Sequence, residues 1–438
     1  MTGTSGRLTS PRLAGFASLE LPMAAFLSPL IVYIPPFYAG EMGLGLATVG
    51  LIFGLTKIWD VITDPIAGHL TDRYGPNMGR RRFWMLISLP MMVIGTYQVF
   101  MPSEGVGGAY FAFWMMFVYV GWTLLTISHI SWGVELSSDY HERSRIAAYR
   151  QAAALIGALS IAFVPVISDL FGTGEDADRV AGMGYFILIS MPLLAGVVVF
   201  ATPSAPVQTA KEDHNWKDAF TVFVGNRSLR ALLIGNMGIL LGLAATSSAL
   251  LFYVENVLRL GQWATLAVVP MLFSGLLYLP LLKKLTGKIG KQATFRWMLA
   301  FQICVQPVLF IVPAESLGLA IAAFVLMGAV HGGATFLPQA MIADLKDVQT
   351  GSVVARTGIY VALLQSTSKI SGALAVALMF LALPLTGFDP SPEVINDENS
   401  LLGLRFLIVL LPMLCYVIAW FSMRRYELDQ SAFTEARA

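Results

Sequence analysis

Apolar residues fill this chain in blocks of roughly twenty, closed off by short polar stretches, and within a block they occupy every helical face rather than one stripe. A helix apolar all round must lie among lipid tails or other apolar helices, and about 20 residues at 1.5 Å per residue cross a hydrocarbon layer of about 30 Å. Reading blocks against breaks predicts spans at 13–35, 45–67, 83–101, 109–132, 147–168, 183–201, 229–252, 263–282, 295–313, 316–338, 356–383 and 401–423. The longest central interruption, Thr202 to Ser228, has too few apolar residues to bury a core and reads as a linker. The expected organisation is therefore an all-α integral membrane protein with an N-terminal six-helix bundle at 1–201, a cytoplasmic linker at 202–228, a second six-helix bundle at 229–423 and a tail at 424–438.

Composition agrees with that pattern. Hydrophobic residues make up 56% of the chain and charged ones only 13%, against about 25% charged in an average soluble domain. Charge also orients the spans. Arg7, Arg12, Arg73, Arg80, Arg81, Arg82, Arg143, Arg145, Arg150, Lys283, Lys284, Lys288, Lys291, Lys346, Arg356, Arg424 and Arg425 gather in one set of loops and helix ends. The opposite set has only Arg179, Arg259 and Arg405, with acids such as Glu41, Glu104, Asp169, Glu255, Glu315 and Asp389. The positive-inside rule then places both termini in the cytoplasm. A net charge of +1 gives no reason to expect a nucleic-acid partner. Cys304 and Cys415 lie in apolar runs and read as small hydrophobes. The start of the chain does not read as a cleavable signal peptide, because the apolar stretch beyond Arg12 continues too long and is interrupted by Glu20.

Ionisable residues inside apolar spans are costly and point to function. Asp60 and Asp64 are four residues apart, on one face of the second span. Pro65 removes an amide and frees the carbonyl of Val61, a further oxygen near the acids. Two readings stand: convergent oxygens for a cation, or acids that hold basic partners of the following turn. Lys369, deep in the eleventh span, is the natural counter-charge, with an interhelical structural ion pair as its alternative. No phosphate-cradling loop is present, and no enzyme chemistry or cofactor is called for. A weak internal repeat relates GHLTDRYGPNMGRRR from Gly68 to LLKKLTGKIGK from Leu281, which suits two related bundles with a path between them.

Four segments carry a resemblance: WDVITDPIAGHLTDR at 59–73, ELSSDYHERSRIAAYR at 135–150, LPQAMIADLKD at 337–347 and SKISGALA at 368–375. Together they resemble the glycoside-pentoside-hexuronide:cation symporters of the major facilitator superfamily, the family of the melibiose carrier. The resemblance implies twelve helices in two six-helix bundles, with Asp60, Asp64 and Lys369 in the cation region. If sodium is the ion, Asp60 and Asp64 would ligate the metal. Glu20 stands where relatives carry an aspartate that contacts sugar hydroxyls, and Arg150 matches the arginine after the ER…YR pattern.

The fourth span departs from the family. Counting back from Glu135 and Asp139 puts Thr126 in place of a third acid, Ser128 in place of a proline and His129 in place of an aromatic. Thr357 replaces the acid usual after Arg356. Losing the third acid weakens sodium as the ion, since a proton needs only one suitably buried carboxylate.

The residues expected at the cation or coupling site are thus Asp60, Asp64, Lys369 and Thr126. Those expected to bind substrate are Glu20, His129, Trp132, Arg150 and Gln365, and those expected at gates or loops are Asp72, Arg73, Arg80 and Arg356. His129 and His331 are each balanced between lining the path and bonding to a neighbouring helix. The function expected is symport, coupled to H+ or Na+, of a sugar, glycoside or sugar acid. The partners are that small molecule, the coupling cation and membrane lipid, and a functional monomer in a bacterial inner membrane is expected. Vertebrate lysolipid carriers share this branch, so an amphipathic cargo and proton-coupled drug efflux are the alternatives.

Overall fold

The computed structural model describes residues 9–75, 79–136, 140–171, 176–202, 223–347, 354–391 and 393–426. Twelve helices there are long and apolar enough to cross a membrane, numbered in chain order as the first to twelfth spans: Ser10–Val32, Leu46–Thr71, Arg80–Phe100, Gly108–Gly133, Ala148–Asp169, Ala177–Phe200, Arg227–Val257, Ala267–Ile289, Lys291–Ile311, Leu317–Ile342, Leu363–Thr386 and Glu398–Met423. No strand forms among the described residues. The chain clusters into two compact units, Met1–Ala210 and Lys211–Ala438, with six spans in each. Most of the predicted linker, residues 203–222, lies outside the described residues.

Helix ends differ from expectation where local chemistry overrides hydropathy. The second helix runs from Leu46 to Arg73, with Pro65 inside it. Gly68 does not stop it, so Asp72 and Arg73 are helical rather than part of a loop, and Arg80 opens the third helix. The fifth helix begins at Tyr140, ahead of the membrane-crossing stretch Ala148–Asp169, so Arg150 stands near the start of that span. Asn226 begins the seventh earlier than hydropathy does, because its side chain accepts from the Leu229 amide and satisfies a free donor of the first turn. That span ends in a π-helical turn, Tyr253–Val257, where the Tyr253 hydroxyl donates to the Leu309 carbonyl.

Two turns carry the internal repeat into the backbone. Gly79 (φ 103°) precedes the third span and Gly290 (φ 81°) precedes the ninth, each in a conformation that a side chain would strain. Equivalent turns of the two units therefore share a backbone requirement even though their basic residues match poorly.

In the first unit, the first span is broken at Ser18 and Leu19, and a new helix starts at Glu20. Ser18 Oγ caps the break by donating to the Gly15 carbonyl, 2.8 Å away. The fifth span approaches so closely beyond this break that a Cβ on Gly157 would collide with the Leu21 carbonyl oxygen. In the second unit, Leu229, Leu232, Phe295, Met298, Leu337, Met341, Tyr416 and Met423 form one apolar core around the seventh span. The tenth span is interrupted between Gly328 and His331.

Candidate functional site

The second and fourth spans build the first polar cluster. Asp60 is 2% exposed, and its Oδ2 accepts from Lys57 Nζ at 2.6 Å. Lys57 and Asp60 are three residues apart, so one helix supplies both members of the pair. From the fourth span, Thr123 Oγ lies 3.2 Å from Asp60 Oδ1 and 3.0 Å from Asp64 Oδ1. One hydroxyl has one proton, so it serves one carboxylate at a time.

This arrangement corrects one expectation. Thr123, not Thr126, reaches the acids; the Thr126 hydroxyl is buried without a hydrogen-bond partner among the described residues. Nor did sequence reasoning pick out Lys57, although its spacing to Asp60 was visible. Lys369 belongs to the second unit, where it is half-buried on the eleventh span. The helix around it is tied to the seventh span by Asn236 Nδ2, which donates to Thr367 Oγ at 2.9 Å and to Ser368 Oγ at 3.2 Å.

Three spans converge on a second cluster. Glu20, in the first turn of its helix, sits where free amides and the helix dipole favour a negative charge. Arg150 donates to Glu20 Oε1 through Nε at 2.6 Å and also through Nη2. His129 is fully buried: its Nε2 lies 3.0 Å from the Phe16 carbonyl, and its Nδ1 lies 3.3 Å from Glu20 Oε1 without the alignment of a hydrogen bond. Phe16 packs on the His129 ring at 4.5 Å and meets Trp132 edge-on at 6.2 Å. Trp132 is itself 1% exposed, with the Arg82 guanidinium 5.4 Å from its centroid. It is buried against the Phe16 ring on one side of the cluster.

A latch lies at the basic ends of the second to fourth spans. Arg81, 8% exposed, donates to Glu135 Oε1 through Nε at 3.1 Å and Nη2 at 2.8 Å, and to the Thr71 carbonyl at 3.2 Å. Arg80 adds a longer contact to Glu135 at 3.7 Å. Sequence reading treated Glu135 only as a counting point, yet it joins the third helix to the fourth. Arg73 is exposed beside the Tyr74 ring. The side chains of Asp72 and Arg356 lie outside the described residues. Gln365 is exposed, and His331 Nδ1 has no hydrogen-bond partner among the described residues. No group of three or more His, Cys, Asp or Glu converges as a metal site among the described residues.

Acids bridged between two helices, in a chain with twelve candidate membrane spans, are the build of a membrane carrier. The sequence profile of a family described as MFS/sugar transport protein matches residues 15–430. The chain belongs to this family. As a member of the MFS/sugar transport family it is a multi-pass membrane carrier and not an enzyme. A glucuronide carrier protein homolog of Escherichia coli (strain K12) is 24% identical over 92% of this chain and 89% of its own length. A putative sulfoquinovose importer of the same organism is 27% identical over 92% and 87%, and a putative glycoside/cation symporter 21% over 90% and 87%. The four motifs thus point to the sugar and cation symporters of the MFS/sugar transport family. Among solved structures, nucleoside transporter NupG (D323A mutant) matches with a TM-score of 0.70 at 11% identity, covering 95% of this chain and 99% of that one. A D-xylose-proton symporter matches at 0.60 and 13%, covering 92% and 95%. At such identities the structural likeness speaks for the fold alone.

Proposed function

We propose that the protein is a cation-coupled symporter that carries a sugar, glycoside or sugar acid by alternating access. The observation that carries this reading is the Asp60–Asp64 pair, whose two carboxylates converge on the Thr123 hydroxyl beside the Lys57 ammonium within an apolar span. H+ or Na+ at these oxygens offsets their negative charge and lowers the cost of holding carboxylates among apolar helices. Lys369 joins the cation region on the strength of the family resemblance. Relatives described as a glucuronide carrier, a glycoside/cation symporter and a sulfoquinovose importer support a sugar or sugar acid as cargo. Substrate is held near Glu20 and Arg150, whose carboxylate and guanidinium match hydroxyl and acid groups. Cation and substrate are coupled because each raises affinity for the other, and co-residence alone would not couple them. The carrier works as a monomer in a bacterial inner membrane, both termini cytoplasmic.

Proteoliposomes loaded with purified protein test this. A panel of D-glucuronate, D-glucose, methyl glycosides and lysophosphatidylcholine is offered under imposed sodium or proton gradients. Gradient-driven accumulation of a hydrophilic sugar is expected. Accumulation of the lipid alone, or sugar uptake indifferent to both gradients, would overturn the reading.

A further inference from the structure

Two arginines of the second unit share one indole ring with no acid to answer them. Arg296, in the second turn of the ninth span, places its guanidinium 5.1 Å from the centre of the Trp420 ring. Arg424, at the end of the twelfth, lies 4.0 Å from the same centre and 5.0 Å from that of Phe421. The face of a ring attracts a cation, but two like charges gathered at one ring repel each other. Arg296 Nε is buried without a hydrogen-bond partner, and neither guanidinium pairs with a carboxylate among the described residues.

The corner that holds them is firmly built. Gln292, in the first turn of the ninth span, donates to the carbonyls of Met423 at 3.0 Å and Tyr426 at 2.7 Å, which ties that turn to the end of the twelfth. The buried Tyr426 hydroxyl donates to the Met341 carbonyl at 3.3 Å and brings the tenth span to the same place. Described charges around it are of one sign: Lys291 donates to the Ala340 carbonyl, Lys288 is exposed at the end of the eighth span, and Arg425 is exposed beside Arg424. The described acids of the second unit, Glu255, Glu315, Asp389, Glu393, Asp397 and Glu398, stand at the opposite ends of its spans. The rim is apolar. Trp297, Ile418 and Phe421 are all exposed on membrane-crossing helices and therefore face lipid, at the level where tryptophans gather beside headgroups.

We propose that Arg296, Arg424 and Trp420 form a binding site for the phosphate of an anionic phospholipid headgroup, where the ninth and twelfth spans leave the bilayer. Each guanidinium presents paired N–H donors in a planar fork that matches phosphate oxygens. A negative group between them also relieves the repulsion of the two cations. Its acyl chains lie along Ile418 and Phe421, a surface that a soluble phosphate would not use. Held there, the lipid clamps the two spans at the point Gln292 already joins. The inference goes beyond the transport reading and depends on neither the cargo, the coupling ion nor the side on which the termini lie.

Native mass spectrometry of the full chain in detergent, titrated with dioleoylphosphatidylglycerol or dioleoylphosphatidylcholine, tests the site. One phosphatidylglycerol is expected to be retained at a concentration about tenfold lower than phosphatidylcholine, because a basic residue near an anionic surface changes affinity by about fivefold. Arg296→Gln combined with Arg424→Gln is expected to reduce that preference to about twofold or less, and Arg425→Gln, outside the ring cluster, to leave it nearly unchanged. Equal retention of the two lipids, or a preference that survives the double substitution, overturns the site. An equal loss in Arg425→Gln overturns it too, since diffuse surface charge would then account for the binding. Should the double variant fail to fold, Arg296→Lys serves instead: it keeps the charge without the planar fork, and the preference is expected to fall about threefold, an unchanged one being the overturning result. Inorganic phosphate at the concentration of the lipid is expected to displace none of it. Full displacement would assign the arginines to a soluble phosphate and overturn the lipid.

Discussion

The two six-span units bury different kinds of polarity. Among the described residues, every buried charged side chain belongs to the first unit: Asp60, Arg81, Glu142 and Arg179; His129 is buried in the same unit. The second unit buries neutral groups instead, including Asn236, Thr246, Gln302, Gln306 and Ser371. Gln306, for example, donates to Thr246 Oγ at 3.0 Å and to the Ile408 carbonyl at 2.7 Å, binding the seventh, ninth and twelfth spans without any charge. A neutral hydrogen bond contributes about 1 kcal/mol net and responds to neither pH nor salt, whereas breaking a buried ion pair costs about 3–5 kcal/mol. Among the described residues, buried charge is therefore concentrated in the first unit, and the second unit is held by neutral hydrogen bonds.

The largest effect that could break this contrast comes from Asp60→Asn. It should lower gradient-driven uptake by about 100-fold or more, a loss near 3 kcal/mol, because the Lys57 ammonium is left without its closest carboxylate. If the uptake in proteoliposomes stays within a few-fold of normal, the acid pair is not the coupling site. Lys57→Met should act in the opposite sense on ion dependence, making the protein less stable without cations and more strongly stabilised by them.

Next in size is the comparison of Arg81→Ala with Lys291→Ala, at equivalent turns of the two units. Arg81 holds a carboxylate and a carbonyl, so its loss should cost about 3 kcal/mol. Lys291 Nζ donates to the Ala340 carbonyl at 3.2 Å, and its loss should cost about 1 kcal/mol. Melting temperatures in detergent would rank them; equal drops would erase the distinction between the turns.

Smaller still is Asn236→Leu in the second unit. It should change stability by about 1–2 kcal/mol while leaving the sodium and pH dependence of melting intact. A changed ion dependence would show that ion chemistry reaches into the neutral half.

The smallest effect is expected at Asp389, outside the spans. The hydroxyl and amide of Ser391 hold its carboxyl below the ordinary value of 3.8. A lowered value in the folded state means a contribution present above pH 3.8 and lost as pH falls through the folded value. Asp389→Ala should therefore lower the melting temperature slightly near neutrality and not at all in strong acid. A deficit that persists in strong acid would assign that loop's stability to something other than this carboxylate.

Much of this was legible in the sequence because bilayer thickness fixes block length, and block length fixes the spans. Asp60, Asp64, Glu20, His129 and Arg150 each stood out as a polar group at apolar depth. What could not be read was register between helices. A slight rotation of the fourth helix decides whether Thr123 or Thr126 meets the acids, and only packing sets that rotation. The convergence of Glu20, His129 and Arg150 from three spans is hidden for the same reason. Helix ends were missed where a local device outranked hydropathy, as with the Asn226 cap and the continuation of the second helix through Gly68. Lys57 is a different kind of omission, because its three-residue spacing to Asp60 is visible in the sequence itself.

The most direct measurement is the melting temperature of the purified protein in sodium chloride and in choline chloride, repeated over a pH series. The expected result is a stabilisation by sodium or by protons that disappears in Asp60→Asn and survives in Asn236→Leu. An ion-dependent shift of full size in Asp60→Asn, or the absence of any such shift in the unsubstituted protein, would contradict a coupling-ion site in the first unit.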